Sequence, residues 1–315
     1  MSDNTNPDPR PEAAAARKAL FKAWWQASRP PFYIATLVPL TLGFVAAGKW
    51  TGEYRGGLFA LILLASFAVH LATNLANDLF DHAQGVDAGP NIGGSRVIQE
   101  GKITPRALTV ALGVLYGLGF LGAVNIVRMS GQPVLWALII FAALSSFFYV
   151  APPVKYGHRA LGELFVFINM GLIMTGGTYL AVGGGWDLRV LALALPVGLM
   201  VAGILYYQSL PEIVTDLAAG KHTLANVLGK TRAAFLQLLW WPLVWLLMIN
   251  LWLAGLAAWP VLLTPLTFPL HVAALRKIKA VGVDGDWLEL DQHGHYIRKM
   301  YFLNGILLIV AVALN

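Results

Sequence analysis

Cysteine is absent from the 315-residue chain, which excludes disulfides and any chemistry run through a thiolate. Charge is scarce as well. Asp, Glu, Lys and Arg make up 12% of the sequence, roughly half the share usual in soluble domains. Hydrophobic residues account for 57%, and mean hydropathy is +0.65. A water-soluble molecule of this length needs more polar surface than that, so lipid is the expected solvent. The opening MSDNTNPDPRPEAAAARKAL lacks the continuous apolar stretch of a cleaved signal peptide and is expected to be a cytoplasmic tail. No Walker or dinucleotide-binding glycine pattern occurs, so the GGSR string from Gly93 to Arg96 reads equally well as a flexible loop.

Long apolar runs take the place of what is missing. Nine of them approach the roughly 20 residues that carry a helix across about 30 Å of hydrocarbon. They are 32–48, 57–81, 106–127, 133–150, 161–182, 189–210, 234–256, 258–275 and 300–314. They predict an all-α, polytopic membrane protein with about nine transmembrane helices. Only Trp259-Pro260 separates the seventh run from the eighth, so a single broken helix is the alternative there. Residues 13–27 have a helical pattern, with Lys18, Lys22, Trp24 and Trp25 suited to the headgroup level. The expected organisation is a tail and interfacial helix over 1–28, then one membrane-embedded domain over 29–315.

With the N-terminus inside, only Lys49, Arg55, Arg128 and Arg189 of the 22 Lys and Arg fall on the outer side. That satisfies the positive-inside rule and puts the C-terminus outside. The same bias accounts for the net charge of +6 without a basic stripe for nucleic acid, which is not expected as a partner. The topology and the cysteine-free chain point to a bacterial inner membrane. The longer polar connections, 82–105, 211–233 and 276–299, all lie on the inner side, where function is expected.

Ionisable groups in apolar spans are costly, so each one implies a function and a partner. On the second run His70, Asn74, Asn77, Asp78 and Asp81 fall within an arc of about 100°, a polar stripe that needs a hydrated or ion-filled cavity. Asp87 follows beyond the helix-breaking Gly85. Where the sixth run leaves the membrane, Glu212 and Asp216 are i, i+4 neighbours after Pro211, which is expected to kink the helix. Two clusters of hard oxygen donors facing one compartment suit Mg²⁺, which takes one or two carboxylates per ion and completes its shell with water and phosphate oxygens. A diphosphate substrate would supply the latter. Arg29, Arg96, Lys102, Lys155 and Lys221 stand at the same mouth and would bind its oxygens, or else contact lipid headgroups. Glu163, four residues after Arg159, is read first as that residue's ion-pair partner.

These strings resemble the UbiA superfamily of intramembrane prenyltransferases from Trp24 onward. The first signature of that family, N-D-x-x-D with a further Asp, is matched by Asn77, Asp78, Asp81 and Asp87. The spacing to Asp87 is similar to that of the 1,4-dihydroxy-2-naphthoate (menaquinone) branch. The second signature, D-x-x-x-D before A-x-G-K-x-T-L, is matched by EIVTDLAAGKHTL from Glu212 to Leu224, with Glu in place of the first Asp. ASRPPFY around Arg29, GGSRVIQEGKIT from Gly93 and APPVKYGHRALGELFVF from Ala151 match as well.

The resemblance implies a bundle around a central cavity, open laterally to lipid, with both acidic motifs at its cytoplasmic end. It implies an enzyme that moves a prenyl group from a prenyl diphosphate to an aromatic acceptor. Two Mg²⁺ ions would be held by Asn77, Asp81, Asp87 and Asp216, with Asp78 and Glu212 in or next to the ligand shell. Asn74, Arg159 and Glu163 would be outer members of the site. The 1,4-dihydroxy-2-naphthoate acceptor competes with 4-hydroxybenzoate, homogentisate and chlorophyllide-like rings. From another class, a cation-coupled transporter predicts acids near the bilayer centre rather than at one end. Three weaker features are read structurally. Gly113-x-x-x-Gly117 is expected to pack against a neighbouring helix, and DGDWLELDQHGHY is expected to be a solvated loop. The aromatic residues Phe147, Phe148, Tyr149, Tyr206 and Tyr207 are expected to be packing or interface anchors before cavity walls.

Overall fold

The structure is a computed structural model that describes residues 9–86 and 93–315. Helix α1 (Pro9–Ser28) precedes the spans. It buries Ala23 and Ala27 and leaves Leu20, Phe21 and Trp25 exposed, the division expected of a helix lying at headgroup level. Its end is abrupt, because Arg29 takes a left-handed conformation (φ 52°) and Pro30-Pro31 open a short 3₁₀ turn.

The spans follow in order: α2 (Ile34–Thr51), α3 (Gly56–Ala83), α4 (Pro105–Ser130), α5 (Leu135–Phe148) and α6 (Gly162–Val166). A π-helical turn, Phe167–Ile173, joins α6 to α7 (Met174–Gly183), and the three make one crossing. Next come α8 (Leu188–Ser209), the short α9 (Ile213–Ala218) and α10 (Leu224–Leu253). Two 3₁₀ segments, Trp259–Thr267 and Trp287–His293, lead into α11 (Phe268–Val281) and α12 (His295–Leu314).

Eight of these helical stretches are long and apolar enough to cross a membrane. The ninth, α5, has 14 residues and rises about 21 Å, with apolar turns at Val134 and Tyr149–Ala151 extending it. The protein is an all-α integral membrane protein. The seventh and eighth runs are separate crossings, since α10 stops at Leu253 and a new helical turn starts at Trp259. Pro211 does more than kink its helix. Lacking an N–H, it falls in a break between α8 and α9, and Glu212 stands at the N-cap position of a new helix.

Helix packing differs from the expectation at Gly113 and Gly117, which face open space on the exposed side of α4. The close approach lies on another face of α4. A Cβ on Gly122 would come within 2.6 Å of Ala65 Cβ, and one on Gly119 within 2.9 Å of Val69. A small-x-x-x-small spacing says that a backbone can be approached, not which face is turned to the neighbour. At Gly171 an added Cβ would lie 2.4 Å from Gly198 Cα, so α8 crosses the π turn backbone to backbone.

Candidate active site

Two adjoining chambers run into the bundle. The inner one, about 430 Å³, is walled by apolar residues of α3, α4, α5, α8 and the π turn. The outer one, about 610 Å³, is polar and lies where the acidic motifs meet the loops at one end of the bundle. Arg29, Phe32, Asn77, Tyr149, Leu205 and Gln208 line both and mark the junction. The predicted stripe on α3 supplies His70, Asn74 and Asn77 to the inner wall. There His70 Nδ1 shares a 2.5 Å hydrogen bond with Thr36, Asn74 donates to the Ser28 carbonyl, and Ser146 links Thr73 to Tyr116.

The acids of the two motifs have different surroundings. Asp78 is 3% exposed, and its oxygens accept from the Arg29 guanidinium and from both the backbone N–H and the hydroxyl of Ser95. That carboxylate is saturated, and it ties α1's end and the 93–96 loop to α3. Asp81 is 1% exposed, with His158 Nε2 at 3.0 Å and Lys221 Nζ at 3.8 Å. Asp216 is equally buried, yet neither of its carboxylate oxygens accepts a hydrogen bond among the described residues; Lys221 Nζ stands 3.5 Å away. Burial alone would lower the Lys221 ammonium, but Asp216, Asp81 and Glu212 outweigh it and hold it above the ordinary lysine range. Lys221 is thus a fixed positive charge between the two motifs. Backbone pairing keeps them together: Ala160 N–H donates to the His222 carbonyl at 2.7 Å, and His222 N–H to the His158 carbonyl at 3.2 Å.

Of the five basic residues proposed from sequence, Arg29 and Lys221 line the mouth. Lys155 donates to Gln84 at 2.6 Å, and Lys102 bridges Glu100 and Gln26. Arg29, Arg96 and Lys155 share an unusual feature: all three have positive φ, at 52°, 62° and 43°. For a side chain with a Cβ this costs about 1–2 kcal/mol, and such strain collects where position matters. Glu212 and Glu163 both line the mouth. Glu163 does not pair with Arg159, which donates to the Pro153 carbonyl. The chain turns at Ala160 (φ 57°) before α6 begins, so the i, i+4 geometry never arises. Asp87 lies outside the described residues. Among the aromatic residues Tyr149 and Tyr207 reach the chambers, whereas Tyr206 stacks on Trp240 in the core and Phe147 faces lipid against Phe80 and Phe148.

Comparison with known proteins matches the profile of the UbiA prenyltransferase family over residues 36–282. The chain belongs to that family. It is therefore an enzyme that transfers prenyl groups. A 1,4-dihydroxy-2-naphthoate octaprenyltransferase of Haemophilus influenzae is 31% identical over 66% of this chain and 70% of its own length. A 2-carboxy-1,4-naphthoquinone phytyltransferase of Synechocystis is 28% identical over 95% of each chain. The fold is similar to that of a UbiA homolog from Archaeoglobus fulgidus solved with GPP and Mg²⁺, with a TM-score of 0.62 over 91% of this chain and 99% of that one at 15% identity.

Three residues of this UbiA prenyltransferase mouth escaped the sequence reading. Ser95 sat in a glycine-rich loop with no periodicity to mark it. His158 lay in a matched string, but nothing local placed it against Asp81. Arg298 lies two residues past DGDWLELDQHGHY, the segment read as a solvated loop. In fact Trp287 and Leu290 bury that segment against the bundle, and Asp291, Gln292 and Gly294 form one wall of the mouth.

Proposed function

We propose that this enzyme transfers a prenyl group from its diphosphate to a carboxylated naphthalenediol of the 1,4-dihydroxy-2-naphthoate type, the step that attaches the menaquinone tail. The relatives named above act, by their names, on bicyclic rings with a carboxyl group, and the acidic motifs lie above an apolar chamber.

The observation that carries the reading is Asp216, whose two buried oxygens accept no hydrogen bond among the described residues and face Lys221 at 3.5 Å, while Asp81, beside the same Lys221, and Asn77 stand at the same mouth. Such hard oxygens fit Mg²⁺. Mg²⁺ takes much of its shell from water and diphosphate oxygens, so a few carboxylates suffice to hold it. Asn77, Asp81, Asp87 and Asp216 would hold it, with Glu212 beside them, and when bound it would neutralise and polarise the leaving diphosphate. Asp78, already saturated, positions Arg29. Arg29 and Lys221, with Arg96, Lys102 and Lys155 on the surrounding loops, add positive charge where negative charge grows as the C–O bond breaks. The apolar chamber keeps water from the allylic cation. The ring carbon bearing the carboxyl then forms the new C–C bond. CO₂ leaves that carbon, its bonding electrons returning to the ring, along with a proton if the carboxyl enters in its acid form.

In this reading residues 29–315 act as one domain. The mouth and the N-terminus face the cytoplasm of a bacterial inner membrane, and α1 lies on its surface. The test is product formation by purified protein with Mg²⁺ and a long-chain prenyl diphosphate. The acceptors 1,4-dihydroxy-2-naphthoate, 4-hydroxybenzoate and homogentisate would be run in parallel and scored by mass spectrometry. The expected product is prenylated naphthoquinol, lost with EDTA and in Asp216→Asn. Product from another ring alone would remove the naphthoate assignment.

A further inference from the structure

The mouth contains a cation that diphosphate chemistry leaves unused. Arg29 is committed to Asp78, and Lys221 to Asp81 and Asp216. Arg298, in the first turn of α12, lines the same mouth half-buried; Asp291 on the same wall acts on it electrostatically, but among the described residues no carboxylate lies within 4 Å of it to form a salt bridge. Its guanidinium stands over the Phe32 ring, 5.4 Å from the centroid. Phe32 borders both chambers, so this pair sits where the polar mouth meets the apolar interior. Gly294 keeps the place open, since a Cβ there would fall 3.1 Å from an Arg298 Nη atom.

With its carbon over Phe32, the Arg298 guanidinium has no salt-bridge carboxylate among the described residues, so its N–H groups remain to be offered to a ligand. A guanidinium edge pairs with a carboxylate through two parallel hydrogen bonds, which a point charge such as lysine cannot reproduce. Beside an aromatic ring and above an apolar chamber, that edge suits a planar aromatic acid better than a hydrated diphosphate. We propose that Arg298 binds the carboxylate of the acceptor and, with Phe32, seats its ring at the junction of the chambers. This rests on the reading of the acceptor as a carboxylated aromatic ring. Arg298 is then a capture residue. The carboxylate keeps its charge while the C–O bond of the diphosphate breaks and loses it only when CO₂ departs, so the contact holds the acceptor alike before and during the ionisation step.

The experiment measures KM and kcat separately for prenyl diphosphate and for 1,4-dihydroxy-2-naphthoate, in wild type, Arg298→Gln and Arg298→Lys. Competition by 1-hydroxy-2-naphthoate and by 1-naphthol, which lacks the carboxylate, is measured in each. In Arg298→Gln the acceptor KM is expected to rise about 10- to 100-fold, the loss of a charge-assisted pair. The kcat and the prenyl diphosphate KM should stay within about threefold of wild type. Competition by 1-hydroxy-2-naphthoate should weaken in step while that by 1-naphthol holds, and Arg298→Lys should recover part of the loss. A rise confined to the prenyl diphosphate KM would make Arg298 a diphosphate ligand and overturn the proposal. So would a uniform fall in all constants, the mark of a structural role, or no change at all. Wild type that ignores the naphthoate would sink the acceptor reading and this inference with it. Wild type that uses it, with an indifferent Arg298→Gln, would sink this inference alone.

Discussion

Asp78 and Asp81 stand three residues apart in one motif, yet their side chains are built for different work. Asp78 is saturated by Arg29 and Ser95, whereas Asp216 across the mouth has both oxygens without a donor. Removing the charge at Asp78 takes away the carboxylate that a largely buried guanidinium faces, so Asp78→Asn should cost about 3 kcal/mol. It should show as a lowered melting temperature in detergent and as activity that added Mg²⁺ does not restore. Asp216→Asn should melt close to wild type, because it removes a buried carboxylate whose ion-pair partner Lys221 keeps Asp81, and should lose at least about 100-fold in kcat/KM. His158 belongs to a third kind. It holds Asp81 at 3.0 Å, and partners that orient a ligand are worth about 10- to 100-fold in metal affinity. His158→Phe should therefore raise the Mg²⁺ concentration for half-maximal activity by that factor, with His158→Gln nearer wild type. Both motifs were legible as residues, but how the acids divide the work was not, since that depends on donors 17 to 77 positions away.

Helices were the most legible level, because a span is set by its own apolar length and its backbone hydrogen bonds close within it. What the elements do to one another was less so. The GxxxG pair on α4 meets nothing, while Gly171 and Gly198 bring α8 against the π turn. Gly198→Val should force Phe167 and the π turn apart at a cost of about 1–3 kcal/mol. Because that turn lines the inner chamber, activity should fall with the melting temperature. Gly113→Leu, facing open space, should leave both unchanged. If the two variants melt alike, the crossing does not hold the bundle.

At the scale of the whole molecule, the orientation read from Lys and Arg places Glu53 outside and Val283 inside. The natural absence of cysteine makes each testable with a single introduced thiol. A membrane-impermeant maleimide should label Glu53→Cys in intact cells stripped of outer barriers, and Val283→Cys only after permeabilisation. Both positions are exposed, so the reverse pattern would invert the topology and move the mouth to the other face.

Composition, run length and charge bias were enough to determine a polytopic helical membrane protein, because lipid imposes one rule on every residue it touches. The acidic and basic residues were enough to suggest a diphosphate ligand, because diphosphate chemistry needs oxygen donors and cations in quantity, and the resemblance of the two motifs to the UbiA family was what indicated prenyl transfer. Tertiary structure decided which of those groups meet. It brought His158 to Asp81, Ser95 to Asp78 and Lys221 between the motifs, and it seated Arg298 over Phe32 from the far end of the chain. Such contacts join residues that are distant in sequence and leave no local periodicity; they exist only once the helices have packed and water has been excluded from the space between them.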